Sequence, residues 1–146
     1  IGLTLEYLET HGVPVVSVGQ PGFAAFFTRD SGFKADFQLD TALEQASFIH
    51  TKWQLGLHGG VVVSNPVPEA FAMPKQEIDS ITEQALREAG ERGVTGKAVT
   101  PFLLSRIKEL TQGRSLVTNI ALVKHNAQVG AELAVALQQL PGKQPV

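Results

Sequence analysis

Two short stretches, Val13–Val18 (VPVVSV) and Gly59–Val63 (GGVVV), are apolar without alternation. A strand with one wet face alternates apolar and polar residues, whereas an unbroken β-branched run suits a strand covered on both faces. Helix-length amphipathic segments lie before, between and after these runs. The pattern predicts an α/β fold, an α/β/α sandwich whose central sheet is covered by helices. Two or three strands make a thin sheet, so further strands are expected from a segment upstream of Ile1. The chain opens Ile1-Gly2-Leu3 and its only methionine is Met73, which also predicts a piece of a longer protein.

The remaining elements follow from caps and breakers. Residues 3–9 have helical spacing and stop near Gly12. Phe23–Phe27 is a candidate for a further short strand. Asp40 or Thr41 caps a helix to about Leu55, with Leu43, Ala46, Phe48, Ile49 and Trp53 on its apolar side. Pro74 starts a helix to about Arg92 with Ile78, Ile81, Ala85 and Leu86 inside. Thr100-Pro101 reads as a cap and first residue of a helix Phe102–Leu110, and Gly113 ends it. A last helix runs from about Ser115 to Leu140 and stops at Pro141-Gly142. Its apolar stripe is Leu116, Ile120, Val123, Ala127 and Ala134, expected to face inward.

Charge and composition exclude several classes. With 43% hydrophobic and 18% charged residues the 146-residue chain has enough apolar content for one globular domain. A net charge near −2 and no basic stripe argue against nucleic-acid binding. There is no cysteine, hence no disulfide or thiolate metal site. No run is long enough to span a membrane and no signal peptide opens the chain, so a cytoplasmic location is expected. The glycine-rich stretch Gly90–Thr100 fails the phosphate-loop pattern, with Glu91 and Ala98 where Gly and Ser or Thr are required. The histidines His11, His50, His58 and His125 show no metal-ligand spacing.

Four polar residues are candidate site residues. Asn65 follows the second apolar run, and ligands of open α/β sheets gather beyond the carboxyl ends of strands; a turn asparagine before proline is the plainer alternative. Arg29, in the polar loop TRDSG, suits a phosphate or carboxylate, or else a surface salt bridge. Asn119 and Asn126 lie seven residues apart and share one side of the last helix. A buried amide left unpaired costs roughly 1–3 kcal/mol. Its donor and acceptor match the alternating N–H and C=O edge of a pyrimidine, but a helix–helix contact is equally served.

The blocks LEYLETHGVPVVSV, AFFTRDSGF, KWQLGLHGGVVVSNPVPE and GKAVTPFLLSRIKELTQGRSLVTNIALVKHNA together resemble the pseudouridine-5′-phosphate glycosidase family, also called indigoidine synthase A-like, over nearly all of residues 1–140. The resemblance implies that the chain is the C-terminal part of one such domain. It implies reversible cleavage of pseudouridine 5′-phosphate to uracil and ribose 5-phosphate through a lysine Schiff base at C1′. It further implies a glutamate acid/base, a manganese ion beside an aspartate, and a homotrimer.

The family's nucleophilic lysine, acid/base glutamate and metal-site aspartate match positions upstream of Ile1. Lys52, Lys75, Lys97 and Lys124 do not match that lysine, so no catalytic residue and no metal ligand is assigned within this chain. The chain alone is therefore expected to be inactive. Asn119 matches an active-site asparagine and is assigned to the base, while Asn126 is expected to hold the helix in place. His125 stands where relatives often carry Asn. A non-catalytic oligomerisation module derived from the family is the rival reading. Fusion to a sugar kinase is a third, for which the tail GKQPV would be the start of a linker.

Overall fold

The two apolar runs become neighbouring strands of one parallel sheet. A computed structural model describes residues 1–141. Helix α1 (Gly2–Thr10) leads into β1 (Val15–Ser17), which lies between β2 (Phe37–Gln38) and β3 (Val62–Ser64). Val16 stands opposite Phe37 on one side and Val63 on the other. All three β1 residues are buried. Since neighbouring side chains on a strand point to opposite faces, β1 is covered on both. Both β2 residues are exposed.

Phe23–Phe27 is not a strand, contrary to expectation. It belongs to a loop that folds on itself: Phe23 N–H donates to Phe33 O at 2.7 Å, Ser31 N–H donates to Phe23 O at 3.0 Å, and Gly22 pairs with Lys34 in a single antiparallel bridge. Its aromatic residues serve packing instead. Phe27 meets Phe26 edge-on at 4.8 Å and rests on the cluster of Met73, Ile78, Ala85 and Ile107.

Helix α2 (Ala42–Gln54) begins as its sequence indicates. The Thr41 hydroxyl accepts from Glu44 N–H at 3.2 Å, and the Glu44 carboxylate accepts from Thr41 N–H at 2.8 Å, a reciprocal capping box. Ala46 and Ile49 are buried, but Leu43 is exposed and Gln45 takes the inner position. Gln45 Nε2 donates to Leu39 O at 3.3 Å, while its Oε1 is buried without a partner among the described residues.

In α3 (Lys75–Glu91), Ile78, Ala85 and Ala89 face inward and Leu86 is exposed, not buried. Helix α4 (Val99–Leu110) starts three residues earlier than the threonine-proline signal suggests, out of a 3₁₀ turn at Gly96–Ala98. Thr100 and Pro101 lie in its first turn, where a missing N–H breaks no helical bond.

Helix α5 (Arg114–Gln139) follows Gly113, whose φ of 85° is a left-handed conformation suited to glycine. It packs along α2. Its inward face is the largest departure from expectation. Leu116, Ile120 and Val123 are 41%, 47% and 59% exposed, and Ala127 and Ala134 are exposed too. Ser115, Thr118 and Leu122 are buried instead. The hydroxyls find partners there: Thr118 Oγ1 donates to Phe71 O at 2.8 Å, and Thr111 Oγ1 bonds Ser115 Oγ at 3.0 Å. The helix ends at Gln139; Gly142 and the tail GKQPV lie outside the described residues. No helix among the described residues is long and apolar enough to cross a membrane.

Carboxylates tie the helices together. Arg106 Nε donates to Glu88 at 2.6 Å, joining α4 to α3, and Arg114 pairs with Glu77, joining α5 to α3. The Arg106 guanidinium holds the Glu88 carboxyl below its ordinary value of 4.5. Arg114 does the same for Glu77, and the Thr41 backbone N–H for Glu44. A depressed folded-state value contributes stability above the ordinary value, and that contribution is lost as pH falls through the folded one. Thermal melts are therefore expected to be flat in this contribution from about pH 8 to 6 and to decline below about pH 4.5. Glu88→Gln should flatten that decline; an unaltered acid limb would exclude the Glu88–Arg106 pair as a cause.

Candidate functional site

The carboxyl ends of β1 and β3 are bonded to each other and to the loop that crosses them. Val18 N–H donates to Ser64 O at 3.0 Å. Ser17 Oγ donates to Gly22 O at 2.7 Å, and Ser64 Oγ accepts from Ala24 N–H at 2.9 Å. Both serines at the strand ends thus fold the loop back over the sheet. Gln20 Nε2 holds the same loop through Gly22 O at 3.0 Å and Arg29 O at 2.8 Å. Gly22 passes so close to Asp30 that a Cβ there would lie 2.7 Å from its carboxylate, so only glycine fits without movement.

Asn65 continues directly from β3, and the structure brings it to α5. Its amide meets the Asn126 amide at 3.0 Å and His125 Nδ1 at 3.1 Å. His125 Nδ1 also lies 3.1 Å from Pro66 O. Arg29 Nη1 donates to Val67 O at 2.9 Å, two residues from Asn65. Among the described residues Arg29 makes no ion pair. Segment 65–71 is thereby strapped down at three carbonyls, those of Pro66, Val67 and Phe71. The straps come from His125, Arg29 and Thr118.

Asn119 is half-buried on α5, two turns before Asn126. Its Oδ1 and one end of the Asn65 amide are buried without a partner among the described residues. Buried polar groups are almost always paired, so two orphaned amide ends on adjoining segments mark a place built for polar contact. A cleft of about 440 Å³ lies against α5, with Phe71, Ile120, Lys124 and His125 in its wall; Asn65 and Asn119 are not in that wall. A larger hollow of about 960 Å³ lies at the opposite, amino ends of the strands, among Val13, Pro14, Phe37 and Phe48, and holds none of these residues.

Of the four site residues read from sequence, Asn65 and Asn126 touch, Arg29 is fixed nearby, and Asn119 lies on the same helix as Asn126. Thr118 and His125 escaped that reading, because each acts on a carbonyl 47 or 59 positions away. No three imidazole or carboxylate groups converge among the described residues. These residues do not fit a manganese ion by themselves.

Known proteins resemble this chain in sequence and in fold. The family model described as indigoidine synthase A like protein matches residues 1–136. A protein of Cupriavidus pinatubonensis named pseudouridine-5′-phosphate glycosidase is 70% identical over 139 residues, covering 95% of this chain and 44% of that protein. The prealnumycin C-glycosynthase AlnA, solved with ribulose 5-phosphate, superposes with a TM-score of 0.84 at 29% identity over 92% of this chain and 44% of its own. An indigoidine synthase A-like protein of Thermotoga maritima does so with a TM-score of 0.80 at 35% identity, over 93% of this chain and 44% of its own. The chain spans less than half the length of these relatives, and it belongs to the indigoidine synthase A-like family.

Proposed function

We propose that this chain is the carboxyl-terminal portion of a pseudouridine-5′-phosphate glycosidase and supplies the wall that holds the base. The reaction is reversible cleavage of the C–C glycosidic bond of pseudouridine 5′-phosphate to uracil and ribose 5-phosphate. The observation that carries this reading is the pair of orphaned amide ends on Asn65 and Asn119, beyond the carboxyl ends of the strands. An amide supplies both donor and acceptor, as recognition of a pyrimidine edge requires.

The bond to be broken joins two carbons, so protonating a leaving oxygen is not open to this enzyme. A lysine that forms an iminium at C1′ of the opened sugar places an electron sink beside the bond instead. On this reading that lysine, the acid/base glutamate and the manganese-site aspartate lie in the preceding portion. The assembled enzyme is a cytoplasmic homotrimer.

The exposed apolar stripe of Leu116, Ile120 and Val123 is the surface the rest of the enzyme covers, since patches of this kind mark interaction sites. The test supplies the part of the Cupriavidus pinatubonensis relative that lies outside the matched 139 residues. The two pieces are expected to co-purify, and Ile120→Asp is expected to weaken their association more than about tenfold by burying a charge. Failure to associate, or association indifferent to Ile120→Asp, would count against this assignment of the α5 face.

A further inference from the structure

The contacts around His125 admit only one arrangement of protons in which no donor faces a donor and no acceptor an acceptor. His125 Nδ1 is 3.1 Å from Pro66 O and 3.1 Å from the Asn65 amide, which in turn meets the Asn126 amide at 3.0 Å. A carbonyl only accepts, so Nδ1 bonds Pro66 O only when it carries a proton. A protonated Nδ1 facing an amide nitrogen would set donor against donor. The two ends of an amide are isosteric, so partners decide which end faces which way.

With Nδ1–H in place, the oxygen of Asn65 faces α5 and accepts from His125, and the Asn126 nitrogen donates to the same oxygen. The single Nδ1–H is then shared between Pro66 O and the Asn65 oxygen, and no two donors or two acceptors face each other. With an unprotonated Nδ1, Asn65 would donate to His125 and Asn126, but Pro66 O would face a lone pair.

We infer that His125, as its Nδ1–H tautomer, is a positioning residue that turns the Asn65 amide so that its nitrogen faces the site. The buried end of Asn65, which no donor reaches among the described residues, is then itself a donor of two hydrogens, and it selects a ligand that presents an acceptor oxygen there. A pyrimidine carbonyl is such an oxygen; this last step rests on the proposed function, whereas the tautomer does not. His125 also belongs to the wall of the adjoining cleft, so one ring links that cleft to the orientation of Asn65.

The tautomer is read directly from long-range nitrogen–proton correlation spectra of the chain labelled with ¹⁵N-histidine. His125 is identified by its proximity to Pro66 and by loss of its signals in His125→Asn. The expected result is a protonated Nδ1, whether or not Nε2 is protonated as well. A ring protonated only at Nε2 would overturn the inference.

Uracil affinity in the assembled enzyme gives the functional readout. Asn places a nitrogen donor where Nδ1 stands, so His125→Asn is expected to keep the affinity within about threefold, while His125→Leu loses about tenfold or more. Equal affinities for His125→Leu and the parent would overturn the positioning role. Absence of uracil binding in the parent would instead overturn the proposed function, and the spectrum would still decide the tautomer.

Discussion

Asn119→Ala, in the enzyme assembled from this chain and its preceding portion, is expected to weaken uracil use about 5- to 150-fold, or roughly 1–3 kcal/mol. The same substitution is expected to leave the melting temperature unchanged or raise it. The two halves of this expectation have one cause. Asn119 Oδ1 is buried without a partner among the described residues, so these residues gain nothing from its hydrogen-bonding capacity and bear its desolvation. A group of that kind destabilises the empty protein and is retained where it serves a ligand. Parallel melts and uracil titrations separate the possibilities. Unchanged uracil use with a lowered melting temperature would show that the amide is structural.

The second large effect is in the core beneath the site. Ile107→Ala is expected to cost about 2–5 kcal/mol, because the lost methyl groups leave a cavity that close-packed neighbours cannot fill. Ile107 is 4% exposed and sits with Met73, Ile78 and Ala85, against Phe27, Ile81 and Leu103. Met73 N–H donates to Phe27 O at 2.9 Å, so this cluster also closes the segment that begins at Asn65. Leu104, three residues earlier on α4 and 42% exposed, is the control: Leu104→Ala is expected to cost less than about 1 kcal/mol. Chemical denaturation measures both. Similar losses at the two positions would mean that the inner face of α4 is assigned wrongly.

These residues also show how far the chain can be read without coordinates. β1 and β3 are legible from their unbroken apolar runs, but only β1 is buried throughout; Val62 and Val63 of β3 are half-buried, so that run overstates its cover. The start of α2 was legible because Thr41 and Glu44 make contacts only three residues apart. β2 was not. Its two residues, Phe37 and Gln38, are both exposed, and they become a strand through backbone pairing with β1, which leaves no side-chain pattern. Phe23–Phe27 misled because aromatic residues that pack a loop resemble those of a strand.

The facing of α5 was misread for a physical reason. A hydrophobic stripe is normally the buried one, but Thr118 and Ser115 each find a hydrogen-bonding partner inside, and this frees Leu116, Ile120 and Val123 to point outward. The candidate site was half legible. Asn65 follows from strand topology and Asn119 from the family resemblance. The His125 contact with Pro66 spans 59 positions and has no local signature.

The proposed function makes this chain the base-holding wall of a pseudouridine-5′-phosphate glycosidase whose reactive groups lie in another portion of the enzyme. The most direct test is to combine the chain with the unmatched portion of its 70% identical relative, add manganese, and measure condensation of uracil with ribose 5-phosphate. The account predicts pseudouridine 5′-phosphate from the combined pieces and none from either alone. A co-purified pair that forms no product would contradict it and leave this chain an assembly module of the family.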